Sequence, residues 1–204
     1  MLRRLVESFI QSIGRVHWTI RDEITPEDKS FITEQLKPNY YIILTRRSNH
    51  LSTFFIGLSN LLLRGKWGYW SHSLMNLEDE VTVEDDFRLI EAIGRGVTYS
   101  NFENVFNVSD VALLKPKNMD VAHWTLVLDR LKSKLGTKYD TLFNLKNEEQ
   151  VSCVELVRLA LMAEPDYAVN FANFENMIKK TKNLTPQMFF DCPDFEVVWQ
   201  AKKR

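Results

Sequence analysis

Apolar residues along this chain change their period several times, and each change predicts an element. Leu2, Leu5, Val6, Phe9, Ile10 and Ile13 recur at helical spacing with polar residues between them, which predicts an amphipathic helix over 2–13. Thr25-Pro26-Glu27-Asp28 opens a second helix, because Thr caps well and Pro suits the first turn; it should end by Leu36, before Pro38. Tyr40-Tyr41-Ile42-Ile43-Leu44 is a continuous β-favouring run and predicts a buried strand. Residues 49–63 read as a helix closed by Arg64-Gly65. From 67 to 77 the period becomes two, with Trp70, His72 and Leu74 on one strand face and Ser71, Ser73, Met75 and Leu77 on the other. A further strand spans 87–92, setting Leu89 and Glu91 against Ile90 and Ala92, before a turn at Gly94 and Gly96. Residues 111–114 form a short apolar strand stopped by Pro116, and helices follow over 119–135 and 152–162. Thr185-Pro186 starts one more helical turn, and 195–199 reads as a closing strand. Helices, then a cluster of strands, then helices describe an α+β fold with an antiparallel sheet.

Composition narrows the class without naming a function. With 204 residues, 45% hydrophobic and 26% charged, the chain fits a globular domain with a true core. The expected division is a helical segment over 1–37 packing on a domain over 38–204. A net charge of −1 offers no general field for nucleic acid. The most apolar stretch, 51–63, is short of the ~20 residues a membrane span needs and carries Ser52, Thr53, Ser59 and Asn60. Glu7, Gln11 and Arg15 interrupt any secretory apolar region, so a cytoplasmic protein is expected. Peripheral membrane contact through residues 1–15 or 51–63 stays open, with Arg3, Arg4 and Arg15 as a cationic side of the first helix. Cys153 and Cys192 read as free thiols. The histidines are scattered and no Cys-x-x-Cys or His-x-x-x-His spacing occurs, so neither a metal nor another cofactor is expected.

The chemistry concentrates on Cys153. Ser152 followed three residues later by Glu155, ahead of an apolar run, is a capping-box signature that starts a helix with Cys153 as its first full residue. A thiol there meets unpaired N–H groups and the positive end of the helix dipole, both of which favour thiolate. A cysteine hydrolase also needs an imidazole and often a third polar group to orient it. Of the four histidines, His17, His50 and His123 read as surface or capping residues, whereas His72 sits mid-strand between Trp70 and Leu74. Glu91 is a lone carboxylate in Leu89-Ile90-Glu91-Ala92-Ile93, costly if it faces inward without a partner.

These segments resemble the circularly permuted papain-like hydrolases, relatives of the NlpC-type cell-wall peptidases in which the His-bearing strands precede the Cys-bearing helix. Tyr41-Ile42-Ile43-Leu44-Thr45-Arg46 is similar to the family's opening strand, and Trp70-Ser71-His72-Ser73-Leu74-Met75 to its histidine strand. Ile90-Glu91-Ala92-Ile93-Gly94-Arg95-Gly96-Val97 resembles the E-A-x-G-x-G-V strand and turn. Tyr139-Asp140-x-x-Phe143 and Ser152-Cys153-x-Glu155-Leu156-Val157 resemble the Y-D-x-x-F and S-C-S-E-L-V signatures, and Leu184-Thr185-Pro186 fits a late T-P turn. Asn39-Tyr40 stands in place of the usual Gly-Asp, Val154 in place of Ser, and Ser73-Leu74-Met75 in place of V-G-I.

The resemblance covers roughly residues 38–190 and implies a permuted papain-like fold, an antiparallel sheet or partial barrel packed against the cysteine helix. It implies Cys153 as nucleophile, His72 as general base and then acid, and Glu91 as the orienting carboxylate. The Cys153 N–H contributes to an oxyanion hole; Tyr139 adds a hydroxyl there or simply packs, and Asp140 braces the loop. The implied activity is a thiol hydrolase cleaving an amide of a cell-wall peptide or an N-acylated small molecule through an acyl-thioester. The alternatives are a lipid-directed acyltransferase or thioesterase with the same triad, and a binding protein that keeps the fold without catalysis.

Overall fold

A computed structural model describes residues 24–36, 40–47, 51–77, 89–141, 149–162 and 171–201. Its frame is a six-stranded antiparallel sheet whose strands carry apolar side chains on both faces. The strands are β1 (Ile42–Arg46), β2 (His72–Asn76), β3 (Leu89–Ile93), β4 (Gly96–Ser100), β5 (Asp110–Pro116) and β8 (Phe195–Ala201), in the spatial order β4-β3-β2-β1-β5-β8. A separate parallel pair joins β6 (Lys138–Tyr139) to β7 (Gln150–Val151). Seven helices are present among the described residues: α1 (Pro26–Leu36), α2 (Leu51–Arg64), α3 (Phe102–Val105), α4 (Val121–Ser133), α5 (Cys153–Leu161), α6 (Ala172–Thr181) and α7 (Pro186–Asp191).

Alternation along β1 and β5 sorts the core into two layers. Ile42, Leu44, Ala112 and Leu114 face α4, α5, α6 and α7. Tyr41, Ile43, Val111 and Leu113 face α1 and α3. A sheet covered on both faces needs apolar residues at every position, which is why the 40–44 run shows no alternation. The strand itself begins two residues later than the run, because the Tyr41 N–H donates to the Asn76 side chain at 2.7 Å instead of to a ladder partner.

Most predicted elements are present, with boundaries set by local bonds. Thr25 caps α1 by accepting from the Asp28 N–H at 3.1 Å. Asp120 caps α4 by accepting from the His123 N–H at 2.8 Å, which starts that helix at Val121. β5 runs two residues past Leu114 and ends on Pro116, opposite Phe195. The turn at Gly94 and Gly96 leads into a full strand, β4, and α6 arises where no element was expected. The predicted helix over 2–13, most of the 1–37 segment, and His17, His50 and Phe143 lie outside the described residues.

Two expectations about faces and burial are corrected. Trp70 and Leu74 do not share a strand face: Trp70 packs with Ile42, Leu44 and Met75, and Leu74 with Tyr41 and Ile43. The period-two reading holds from His72 to Leu77 but fails ahead of it, because Tyr69 and Trp70 donate their N–H groups to the Gln187 side-chain oxygen, at 2.7 and 3.3 Å, and join no ladder. His72 is therefore the first residue of β2, opposite Thr45, and not mid-strand. His123 is no surface residue but is buried to 1% exposure, its ring bonded to the Leu161 backbone and 6.4 Å from the Phe171 ring.

Candidate active site

The cysteine is placed by the capping box. The Ser152 N–H donates to Glu155 Oε2 at 2.7 Å, and the Glu155 N–H donates to Ser152 Oγ at 3.4 Å, so α5 begins at Cys153. The first-turn N–H groups, including that of Cys153, have no carbonyl within the helix to bond. α5 packs against β2 and β3, which leaves the thiol only 4% exposed at their His72 end.

His72 and Glu91 meet at 2.7 Å between the ring Nε2 and Oε2. The second ring nitrogen, Nδ1, is the atom left for the hydrogen bond between the His72 ring and the Cys153 side chain. Glu91 is buried and accepts the Ser100 hydroxyl on its other oxygen, Oε1. Sequence separations of 19 and 81 residues within the set are bridged by the sheet and by α5, not by any local motif.

The charges are mutually dependent. Burial by itself would push the His72 imidazolium down, but the Cys153 thiolate and the Glu91 carboxylate outweigh it and raise the ring to about 10. Burial would push the Cys153 thiol up; the His72 imidazolium, helped by the Ser73 N–H, brings it below the usual thiol range instead. Burial likewise opposes ionisation of Glu91, yet His72, Ser100 and the positive Arg47 hold it below the usual carboxylate range. Both shifts favour the thiolate–imidazolium pair over the neutral one. Cys192 is the contrast: burial pushes its thiol up to about 12, so it stays protonated.

Tyr139 also reaches the sulfur. Its hydroxyl hydrogen-bonds Cys153, and burial together with the nearby negative Cys153, Glu155 and Asp140 raises it well above the ordinary phenol value, keeping it a donor. Gly96 is what allows this placement. With φ +110° it brings β4 so close to the 136–138 turn that a Cβ would stand 2.6 Å from the Thr137 carbonyl oxygen. The Val97 N–H donates to that oxygen at 2.8 Å, the Gly136 N–H returns a bond to the Val97 carbonyl at 3.0 Å, and Tyr139 then pairs with Val151 just before the capping box. Buried Asp140 donates its N–H to the Val151 carbonyl at 3.1 Å, bracing the same loop.

The structure thus brings together Cys153, His72, Glu91 and Tyr139, and adds three residues that sequence reading missed. Ser73 follows the histidine and turns its N–H to the sulfur, while Ser100 holds Glu91. Gln187, from α7, fixes the backbone just ahead of His72. Strand alternation across 96–100 was the one signal that could have exposed Ser100, and the two glycines before it masked the strand.

No family model matches the chain, and no curated protein does. Among solved structures it is similar to the metalloprotein yiiX from Escherichia coli O157:H7, a DUF1105 protein, at 17% identity and a TM-score of 0.56. The similarity covers 82% of this chain and 99% of that one. This likeness is one of fold.

Proposed function

We propose that the chain is a thiol hydrolase of the permuted papain-like type, acting on an amide bond through an acyl-thioester on Cys153. The observation that carries this reading is the hydrogen-bonded series from Glu91 through the His72 ring to a cysteine at a helix N-terminus. The order of the pieces agrees, because the His-bearing and Glu-bearing strands precede the Cys-bearing helix in the chain.

In this reading the Cys153 thiolate attacks the carbonyl carbon, and negative charge moves to the carbonyl oxygen. The Cys153 N–H and the Tyr139 hydroxyl donate to that oxygen. His72 gives its proton to the leaving nitrogen as the carbon–nitrogen bond breaks, which leaves a thioester and a neutral imidazole. The imidazole then takes a proton from water, whose oxygen adds to the thioester carbon; collapse releases the acid and regenerates the pair. Glu91 stays ionised throughout and fixes the ring by its 2.7 Å bond. A cell-wall peptide or an N-acylated small molecule is the proposed substrate class.

The description of the E. coli neighbour as a metalloprotein points to a metal-centred second reading. Among the described residues no group of three or more His, Cys, Asp and Glu side chains is set to hold an ion, so the donor set favours the thiol. Iodoacetamide followed by peptide mass spectrometry tests the choice. Cys153 should alkylate far faster than Cys192 at neutral pH, and the His72→Ala variant should lose that advantage. Equal rates at the two cysteines would sink the reading.

A further inference from the structure

α2 is attached the wrong way round for a helix of a globular protein. Its buried residues are Thr53, Gly57 and Asn60, one stripe of small and polar side chains, flanked by half-buried Leu51, Ile56 and Leu58, while its other large apolar residues are exposed. The stripe is bonded in detail. Thr53 Oγ1 donates to the Arg47 carbonyl at 2.8 Å, the Gly68 N–H donates to the Gly57 carbonyl at 3.2 Å, and the Thr185 hydroxyl donates to Asn60 Oδ1 at 2.8 Å. The orientation is therefore fixed by the fold. Outside lie Phe54, Phe55, Leu61, Leu62, Leu63 and Trp67, exposed by 39% or more, with Leu62 at 77%. Trp67 lies flat over Gly57, where a Cβ would come within 2.6 Å of the indole, and its ring is 5.5 Å from that of Phe54. A contiguous apolar face of this kind calls for a covering partner.

Charge says what covers it. From Asn39 to Leu77 the sequence holds no Asp or Glu at all but carries Arg46, Arg47, Arg64 and Lys66, in a chain whose net charge is −1. Arg46 packs over the Tyr69 ring, Arg47 donates to the Asn104 carbonyl at 3.1 Å and Arg64 is paired with Asp191 at 2.9 Å, so Lys66, exposed next to the exposed Trp67, is the cation this face presents. Aromatic and leucine side chains beside the exposed Lys66, on a segment that carries no carboxylate of its own, match the boundary between acyl chains and acidic headgroups.

We propose that the outer face of α2 docks on an anionic lipid surface and holds the Cys153 site at that interface. The second half follows from connectivity: α2 leaves β1 through Arg47, whose charge acts on Glu91, and returns through Ser71 to His72. The docking surface stands on α2 alone and goes beyond the thiol chemistry. It makes molecules presented by a membrane the substrates within reach.

The test is flotation of the full chain with vesicles of equal parts phosphatidylcholine and phosphatidylglycerol, against vesicles of phosphatidylcholine alone. The wild type should float with the mixed vesicles, less with the neutral ones, and less at high salt. Phe54→Ser combined with Leu62→Ser should reduce partitioning by about tenfold or more, since two large apolar side chains leave the interface. Lys66→Glu should weaken binding only to the acidic vesicles. Circular dichroism checks that the variants remain folded. Absence of flotation with either vesicle overturns the proposal, as does unaltered flotation of the double variant, which would place lipid contact elsewhere in the chain. A wild-type dimer in sedimentation that the double variant converts to monomer overturns it equally, by assigning the face to a second copy. Iodoacetamide labelling of Cys153 without vesicles reads the thiol site by itself, so the two readings fail separately.

Discussion

α2 and α5 are both rich in large apolar residues, yet they are built in opposite senses. In α5 the residues Cys153, Val154, Glu155, Leu156, Val157, Ala160 and Leu161 are buried between the sheet and α4. In α2 only Thr53, Gly57 and Asn60 are buried. The difference lies in what each helix uses for attachment. α5 is held by apolar area against β2, β3 and α4, and its capping box then places a thiol at the edge of that core. α2 is held by directed hydrogen bonds to backbone and to Thr185, which leaves its apolar area unspent. One helix makes a rigid base for chemistry, and the other presents a surface to something outside the molecule.

The largest expected effects lie at the head of α5. Cys153→Ala and His72→Ala should each abolish hydrolysis of an activated ester such as p-nitrophenyl acetate while the melting transition stays cooperative; retained turnover in either would remove α5 from the chemistry. Next comes core packing. Leu156, fully buried in α5, should lose about 2–5 kcal/mol on substitution by Ala in urea titrations. Gly96→Ala tests the approach that sets Tyr139 beside the helix, and a cost above about 1 kcal/mol is expected, because φ is +110° and the Thr137 oxygen already fills the space of a Cβ.

Glu91→Gln has a subtler signature, read in the pH profile. The competent form needs the Cys153 thiolate and the His72 imidazolium together. Activity should rise with pH as the thiol ionises below its usual range, then fall as the ring deprotonates near 10. Replacing the carboxylate by an amide removes one of the two anions that hold the ring charged. The alkaline limb should move to lower pH, and the acid limb far less. The smallest effect belongs to α2: Leu62→Ala, at a residue 77% exposed, should change stability by less than about 0.5 kcal/mol. A loss equal to that of Leu156→Ala would erase the contrast between the helices.

Several features were fixed by local chemistry and could be read without a fold. The Ser152–Glu155 box closes within one helical turn, so it specified both the start of α5 and the favourable setting of Cys153. Thr25 and Pro26 set the start of α1 in the same way; at α7 Pro186 alone does so, because the Thr185 hydroxyl goes to Asn60 and makes no cap. Strand positions followed from β-branched and aromatic runs. Tertiary packing decided the rest. Gln187, more than 100 residues away, broke the alternation ahead of His72, and Phe171 and Leu161 enclosed His123. The Gly96–Thr137 contact delivered Tyr139 to the sulfur, and hydrogen bonds to the Arg47 carbonyl and from Gly68 and Thr185 turned α2 inside out. A cap or a turn is satisfied by neighbours a few residues apart, so sequence alone determines it. Which face of a helix is buried, and which three side chains share one proton network, depends on partners the chain supplies from far away.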